Sequence, residues 1–289
     1  MSDDERDEVG GAVETVLTEL RRRIVAQEYP EGGMLPSQRE LATSFGVSRD
    51  TVQRALRELI EDGWIKSRQG SGSRVVKPPQ TAIAAGGGAR LRTAQMGWFV
   101  ERAFTQAEVR LDVYCLTSES LDLHLRVHAE SIRGGSAAVP EKIRLRMMLP
   151  ARDTPLPVPR NIVAPDDKSV VERLLRISDR CVSSLEDTLR NLRAYGPVQE
   201  VDFEVRRVPV APMFKLFLLN ETESFQAMYK LARRRIPLSG TEEVEAIDIL
   251  SVGATGTYFD KGDGVDDAQA VWVKNQQDWF DSLWEHLAT

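Results

Sequence analysis

An α+β / α/β chain in two parts follows from three observations. Between residues 35 and 76, two short capped helical patterns are followed by a glycine-rich hairpin flanked by arginines. From residue 96 onward, apolar runs of strand length alternate with helical patterns, which argues for an α/β sandwich. Between these parts, Gly86-Gly87-Gly88 sits among alanines, the composition of a tether. At 289 residues the chain has room for two domains of the usual size, about 100–200 residues each.

The first part divides as follows. Residues 1–10 are acidic and are expected to be a disordered leader. Val13, Val16, Leu17, Leu20 and Ile24 recur at helical spacing and give a supporting helix. Ser37 precedes Glu40 by three residues, the capping-box spacing that satisfies backbone N–H groups at a helix start. Leu41 and Phe45 supply that helix with an inward stripe, and Gly46 can take the positive φ that ends it. Ser48 then caps a helix predicted to run to Gly63. Its Val52, Ala55, Leu56, Leu59 and Ile60 fall on one arc; Asp50, Gln53, Arg54 and Arg57 fall on the other. Trp64-Ile65 and Val75-Val76 flank Arg68-Gln69-Gly70-Ser71-Gly72-Ser73-Arg74, which reads as two strands with a basic tip. This order is that of a winged helix-turn-helix, with a polar, cation-bearing helix face free to enter a major groove.

The run LPSQREL…FGVSRDTVQRAL…GWI…RQGSGSRVV resembles the GntR family of bacterial transcription regulators over roughly residues 11–77. The resemblance implies that Arg39 holds a phosphate or base from the second helix. It implies that Ser48, Arg49 and Thr51 open the recognition helix and that Gly70 lies at the wing tip. The DNA-binding set is therefore expected to be Arg39, Ser48, Arg49, Asp50, Thr51, Gln53, Arg54, Arg57, Arg68, Gln69, Gly70 and Ser71. Within it, Asp50 reads more naturally as an intrahelical or solubility residue than as a base reader, and so does Glu58 nearby. Many family members carry arginine where this chain has Gln53; glutamine pairs best with adenine and arginine with guanine, so the operator is expected to differ there.

Charge supports the same reading. The formal net charge is −6, yet residues 35–77 hold eight Lys/Arg against five Asp/Glu, so the basic surface is confined to this segment. Cys115 and Cys181 are too few for a disulfide framework, which fits a reducing compartment. No stretch approaches the roughly 18 apolar residues of a membrane span, and the acidic start is not a signal peptide. The expected location is the cytoplasm, on the nucleoid.

Pro78-Pro79 ends the wing, since proline cannot extend a strand ladder. The expected partition is a leader (1–10), a winged helix-turn-helix (11–77), a flexible linker (78–95) and an α/β effector-sensing and dimerisation domain (96–289). In that last domain, strands are predicted at 109–116, 142–149, 201–207, 214–219, 224–231 and 246–252. Helices are predicted at 120–132, 169–195 and 272–287, the last with Trp279, Phe280, Leu283 and Leu287 on one side. This pattern differs from the all-helical effector domain of one GntR branch, and the domain is too short for the aminotransferase-like module of another.

Residues 213–220 have the spacing of the His-x-Lys-x-x-x-x-Asp motif and resemble the phospholipase D superfamily, where histidine is the nucleophile and lysine holds phosphate. Here Met213 and Asn220 occupy the histidine and aspartate positions, and only Lys215 matches. Methionine forms no phosphohistidine-type intermediate, so no catalytic residue is assigned and the chain is not expected to be an enzyme. Lys215, Asn220 and Arg206, with Arg207 beside it, are the candidate receptors for an anionic effector. No cofactor and no metal are expected. His124 and His128 have a chelating spacing but lack a third ligand, residues 260–267 depart from the EF-hand pattern, and Arg233-Arg234-Arg235 before Pro237 reads as a solvated turn.

The function expected is a GntR-type regulator, a repressor, binding double-stranded DNA as a homodimer on a pseudo-palindromic operator and sensing a small-molecule effector. The alternatives are an architectural or plasmid-control protein without an effector, and a DNA-tethered phosphodiesterase.

Overall fold

A computed structural model describes residues 3–25, 28–61, 64–68, 72–76, 92–196, 198–239, 242–250, 255–261 and 268–289. The chain forms two compact units. The first comprises Met1–Pro78, Val158–Arg173 and Leu231–Gly253; the second comprises Pro79–Pro157, Leu174–Lys230 and Ala254–Thr289. The contiguous domain expected over 96–289 is thus interrupted twice by segments that cluster with the head.

In the first unit, α1 (Asp3–Val25), α2 (Gln38–Phe45) and α3 (Arg49–Glu61) precede the hairpin of β1 (Ile65–Arg68) and β2 (Gly72–Val75). Helix α1 begins at Asp3, inside the span expected as a disordered leader. Val13, Val16, Leu17, Leu20 and Ile24 of α1 are buried with Leu41, Val52, Ala55, Leu56, Leu59, Trp64, Ile65 and Val75. Each buried valine, leucine or isoleucine among them contributes about 1.5–3 kcal/mol by leaving water. Ile60, placed by periodicity on the same arc, is 40 % exposed because it sits at the edge of the apolar stripe near the helix end.

The hairpin carries a third partner that the sequence pattern conceals. Leu35 donates its N–H to Ser73 (2.8 Å), Val75 donates to Gly33 (2.9 Å) and Gly32 donates to Val75 (3.0 Å), so residues 32–35 line the wing. Gly72 has φ +79°, a conformation that side-chain-bearing residues rarely adopt, so the backbone calls for glycine there.

The rest of this unit is a small sheet in the order β10-β11-β6, built from β6 (Arg160–Asn161), β10 (Lys230–Ser239) and β11 (Glu242–Leu250). Ile236 and Ala246 pack there on Val170. Arg233, Arg234 and Arg235 lie within β10, not on a solvated turn: Arg234 pairs with Asp248 (2.5 Å) and Arg233 with Glu245 (2.5 Å). The lack of apolar alternation hid this strand, and Pro237 is tolerated because β10 is an edge.

The second unit is a seven-stranded mixed sheet between helices. Its strands are β3 (Arg92–Gln95), β4 (Glu108–Tyr114), β5 (Lys142–Pro150), β7 (Glu200–Val208), β8 (Phe214–Leu219), β9 (Glu223–Met228) and β12 (Thr255–Asp260), in the order β3-β12-β9-β8-β4-β5-β7. The β4–β5 and β5–β7 pairs are parallel and the others antiparallel. Helix α4 (Met96–Phe104), α5 (Glu119–Arg133) and the body of α6 (Ser169–Tyr195) cover one face. There Phe99, Leu121, Leu125, Leu185 and Leu189 meet Val109, Leu111, Val113, Ile143 and Leu145. Helix α7 (Ala268–His286) covers the other, with Phe280 and Trp284 against Tyr114, Met148, Leu216 and Leu218. Leu287, expected on that apolar side, is 40 % exposed, past the end of α7. The α/β sandwich is present.

The tether expected over 78–95 ends early, since residues 92–95 pair with β12; its earlier part, 78–91, lies outside the described residues. The expected strand at 224–231 is two strands broken at Tyr229, and β12 went unread because Gly256 and two threonines dilute its apolar signal. Among the described residues no helix is long and apolar enough to cross a membrane.

A buried ionic cluster fastens α7 to the sheet. Arg146 of β5 donates to both carboxylate oxygens of Asp112 on β4 (2.7 and 2.6 Å) and to Asp281 on α7 (2.7 Å), while Gln277 donates to Asp112 (2.8 Å). The Arg146 guanidinium lies over the rings of Phe280 and Trp284. So placed, the buried charges are paired and hydrogen-bonded, and removing one partner would leave the other uncompensated.

Candidate nucleic-acid interface

The turn between α2 and α3 is fixed by local chemistry. The Ser37 hydroxyl accepts the Glu40 N–H (3.3 Å) and the Ser37 N–H donates to the Glu40 carboxylate (2.7 Å), closing the capping box. That contact holds the Glu40 carboxyl below its ordinary range. Gly46 takes φ +65° and directs its N–H to the carbonyls of Ala42 and Thr43. Two residues later the Ser48 hydroxyl accepts the Thr51 N–H at 3.0 Å and lies 2.8 Å from the Thr51 hydroxyl. The helix that presents side chains to solvent is therefore anchored at its first turn.

The expected contact set separates into three groups. Arg39, Ser48, Arg49, Asp50, Gln53 and Arg57 are exposed on α2, α3 and the intervening turn. Thr51 is buried, 4 % exposed, and serves the cap; it does not reach outward. Arg54 is held against its own helix by Asp50 (2.7 Å), with a side chain only 11 % exposed, so periodicity alone overstated its reach. The side chain of Arg68, together with Gln69, Gly70 and Ser71, lies outside the described residues.

Other contacts were not legible in the sequence. Arg57 pairs with Glu243 of β11 (2.9 Å). Glu58, read as a surface residue, is 5 % exposed and lies 3.7 Å from Arg173 at the start of α6. Arg74 of the wing donates to the Gly32 carbonyl (2.7 Å). These partners sit more than a hundred residues away or in an unpatterned loop, where no periodicity points to them.

The three candidate ligand residues do not converge. Lys215 is the second residue of β8 and Asn220 follows its other end, while Arg206 lies on β7, beyond β4 and β5. Asn220 takes φ +51°, accepts the Arg110 N–H (2.7 Å) and donates to Gln106 (2.5 Å) and the Glu108 carbonyl (3.0 Å), which makes it a turn residue. Arg206 is engaged by Glu204 (2.7 Å) and by the carbonyl (2.9 Å) and ring of Trp284. Lys215 is 3 % exposed and donates to the Ser120 hydroxyl at 2.9 Å; burial pushes its ammonium down to about 8. Met213, in the position of the nucleophilic histidine, is half exposed.

The family profile described as "Bacterial regulatory proteins, gntR family" matches residues 12–75. An HTH-type transcriptional regulator, Rv0792c, of Mycobacterium tuberculosis is 42 % identical over 67 residues, 23 % of this chain and 25 % of that protein. The mannosyl-D-glycerate transport/metabolism system repressor MngR of Escherichia coli is 43 % identical over 60 residues, 21 % of this chain and 25 % of the repressor. A GntR family transcriptional regulator from Listeria monocytogenes, of known structure, is 34 % identical over 22 % of this chain and 56 % of its own, with a TM-score of 0.22. The chain spans about a quarter of the length of these curated relatives, and the matched part is the head; the similarity lends no support to a phospholipase D-like second unit. Residues 12–75 are a GntR-family winged helix-turn-helix domain.

Proposed function

We propose that the whole chain is a sequence-specific DNA-binding transcription regulator of GntR type, acting as a repressor. The observation that carries this is the set of exposed side chains on α2 and α3. Arg39, Arg49 and Gln53 stand in solvent on helices whose starts are both capped, so a rigid, cation-bearing edge is offered to a groove. Arginine pairs with guanine and glutamine with adenine through two hydrogen bonds each, which is the chemistry of base reading. A homodimer would place two such helices about 34–36 Å apart over a pseudo-palindrome.

The seven-stranded unit supplies dimer contacts and effector sensing in this reading. A ligand shifts DNA affinity only by binding two states of the protein unequally. The degenerate phospholipase D-like character of this unit is part of the proposal and rests on Lys215 alone, at the start of β8.

Footprinting on a selected genomic fragment tests the reading. Two protected half-sites with matched symmetry, lost in Arg49→Ala, are expected. Uniform protection along the fragment, unchanged in that variant, would favour an architectural protein.

A further inference from the structure

We propose that the acidic start of β11 is an internal competitor for DNA: Glu243 occupies Arg57 of α3, and a phosphate of bound DNA must displace it. The inference rests on the reading above only in placing α3 against DNA.

Gln53 and Arg57 stand one turn apart on the exposed stripe of α3. When such a helix docks, its first residues reach the base edges, which leaves Arg57, near the far end, to the phosphates along the groove wall. In the protein that arginine is already engaged. Its Nη1 donates to the Glu243 carboxylate at 2.9 Å, and the two side chains are 44 and 24 % exposed. Glu243 is the second residue of β11, and Glu242 before it is exposed. Carboxylates therefore stand beside a helix face that a polyanion would touch. Carboxylate and phosphate oxygens address the same guanidinium, and their like charge keeps them apart.

The neighbouring contact makes this pair the exchangeable one. Glu58 lies 3.7 Å from Arg173 at the start of α6, with side chains 7 and 14 % exposed. Consecutive helix residues point about 100° apart, so two ion pairs of opposite polarity grip adjacent flanks of α3. The Glu58–Arg173 pair is shielded from water and salt, so it holds. The Arg57–Glu243 pair faces solvent and contributes little to stability, so it can part without loosening the fold. Of the four acids of β11, Glu245 and Asp248 are paired with Arg233 and Arg234 of β10, while Glu243 reaches α3. Competitor and target belong to the same compact unit, because residues 231–253 cluster with the head.

Fluorescence anisotropy of the full chain with a random-sequence DNA duplex at about 50 mM salt tests the proposal, since a phosphate contact needs no operator. Glu243→Gln should bind about two- to fivefold more tightly than wild type, the size of one exposed ion pair. Arg57→Ala should bind more weakly than wild type, and adding Glu243→Gln to it should change nothing. Glu242→Gln, the same charge change one residue earlier, should leave affinity close to wild type. An equal gain in Glu242→Gln, or a gain that survives Arg57→Ala, overturns competition at Arg57 in favour of a general acidic field. Unchanged or weaker binding by Glu243→Gln overturns it too and makes the pair a brace for α3. Binding of the duplex by neither wild type nor Glu243→Gln removes the DNA-binding reading itself, a result distinct from all of these.

Discussion

The Ser48 hydroxyl lies 2.8 Å from that of Thr51 and accepts the Thr51 backbone N–H, so α3 is pinned at its first turn by a pair of side chains. Ser48→Ala removes that acceptor. It should destabilise the head by about 1 kcal/mol, within the range of 0.5–2 for lost caps, and Ser48→Asp should restore most of the loss. Urea unfolding of the two variants checks this; equal destabilisation by both would mean that the hydroxyl does not act as a cap.

Arg49 stands exposed at the start of α3. If it reads a guanine, Arg49→Ala costs about 1–3 kcal/mol and relaxes preference at one base pair. Arg68→Ala, at the wing, should instead weaken all sequences alike and flatten the salt dependence. Binding titrations over a set of single-base operator variants and several salt concentrations separate the two behaviours.

Asp112 is 2 % exposed and Arg146 is 7 % exposed, so their pairing is sealed from water. Arg146→Met leaves Asp112 with Gln277 alone and should cost about 3–5 kcal/mol. The double change Arg146→Met with Asp112→Leu should recover much of that loss, because no charge is then buried. Denaturant midpoints of the single and double variants test the argument.

Lys215 has its ammonium lowered to about 8 by burial, below the ordinary 10.5. Between those values the unfolded chain binds one more proton than the folded one at this position. Stability from this group should therefore rise as pH increases from about 8 to about 10.5, by at most about 1.4 kcal/mol per unit, and is lost below about 8. The difference between wild type and Lys215→Met across that window isolates the slope; parallel curves would show that the amine keeps its ordinary affinity.

What was legible in the sequence follows from where its signals are local. The capping box at Ser37, the left-handed Gly46 and the apolar stripe of α1 are encoded within a few residues of one another, and the structure places them as read. Helix α6 was read to its limits because 27 residues of helical periodicity leave little ambiguity. The losses came where partners are remote or where alternation is weak. Nothing near Arg233 signals that it crosses to Glu245, and Thr255–Asp260 becomes a strand because β9 and β3 flank it. At the site, exposure separated Arg49 and Gln53 from Thr51 and Arg54, a distinction set by caps and ion pairs that helical angle does not carry.

The most direct test of the central claim is selection of genomic fragments by the purified chain at about 150 mM salt, where non-specific phosphate attraction is screened, with sequencing of what is retained. A short pseudo-palindrome, recovered with wild type and lost with Arg49→Ala, is the result predicted. Retention without a shared motif, or an enrichment unchanged in the variant, would contradict base reading by α3.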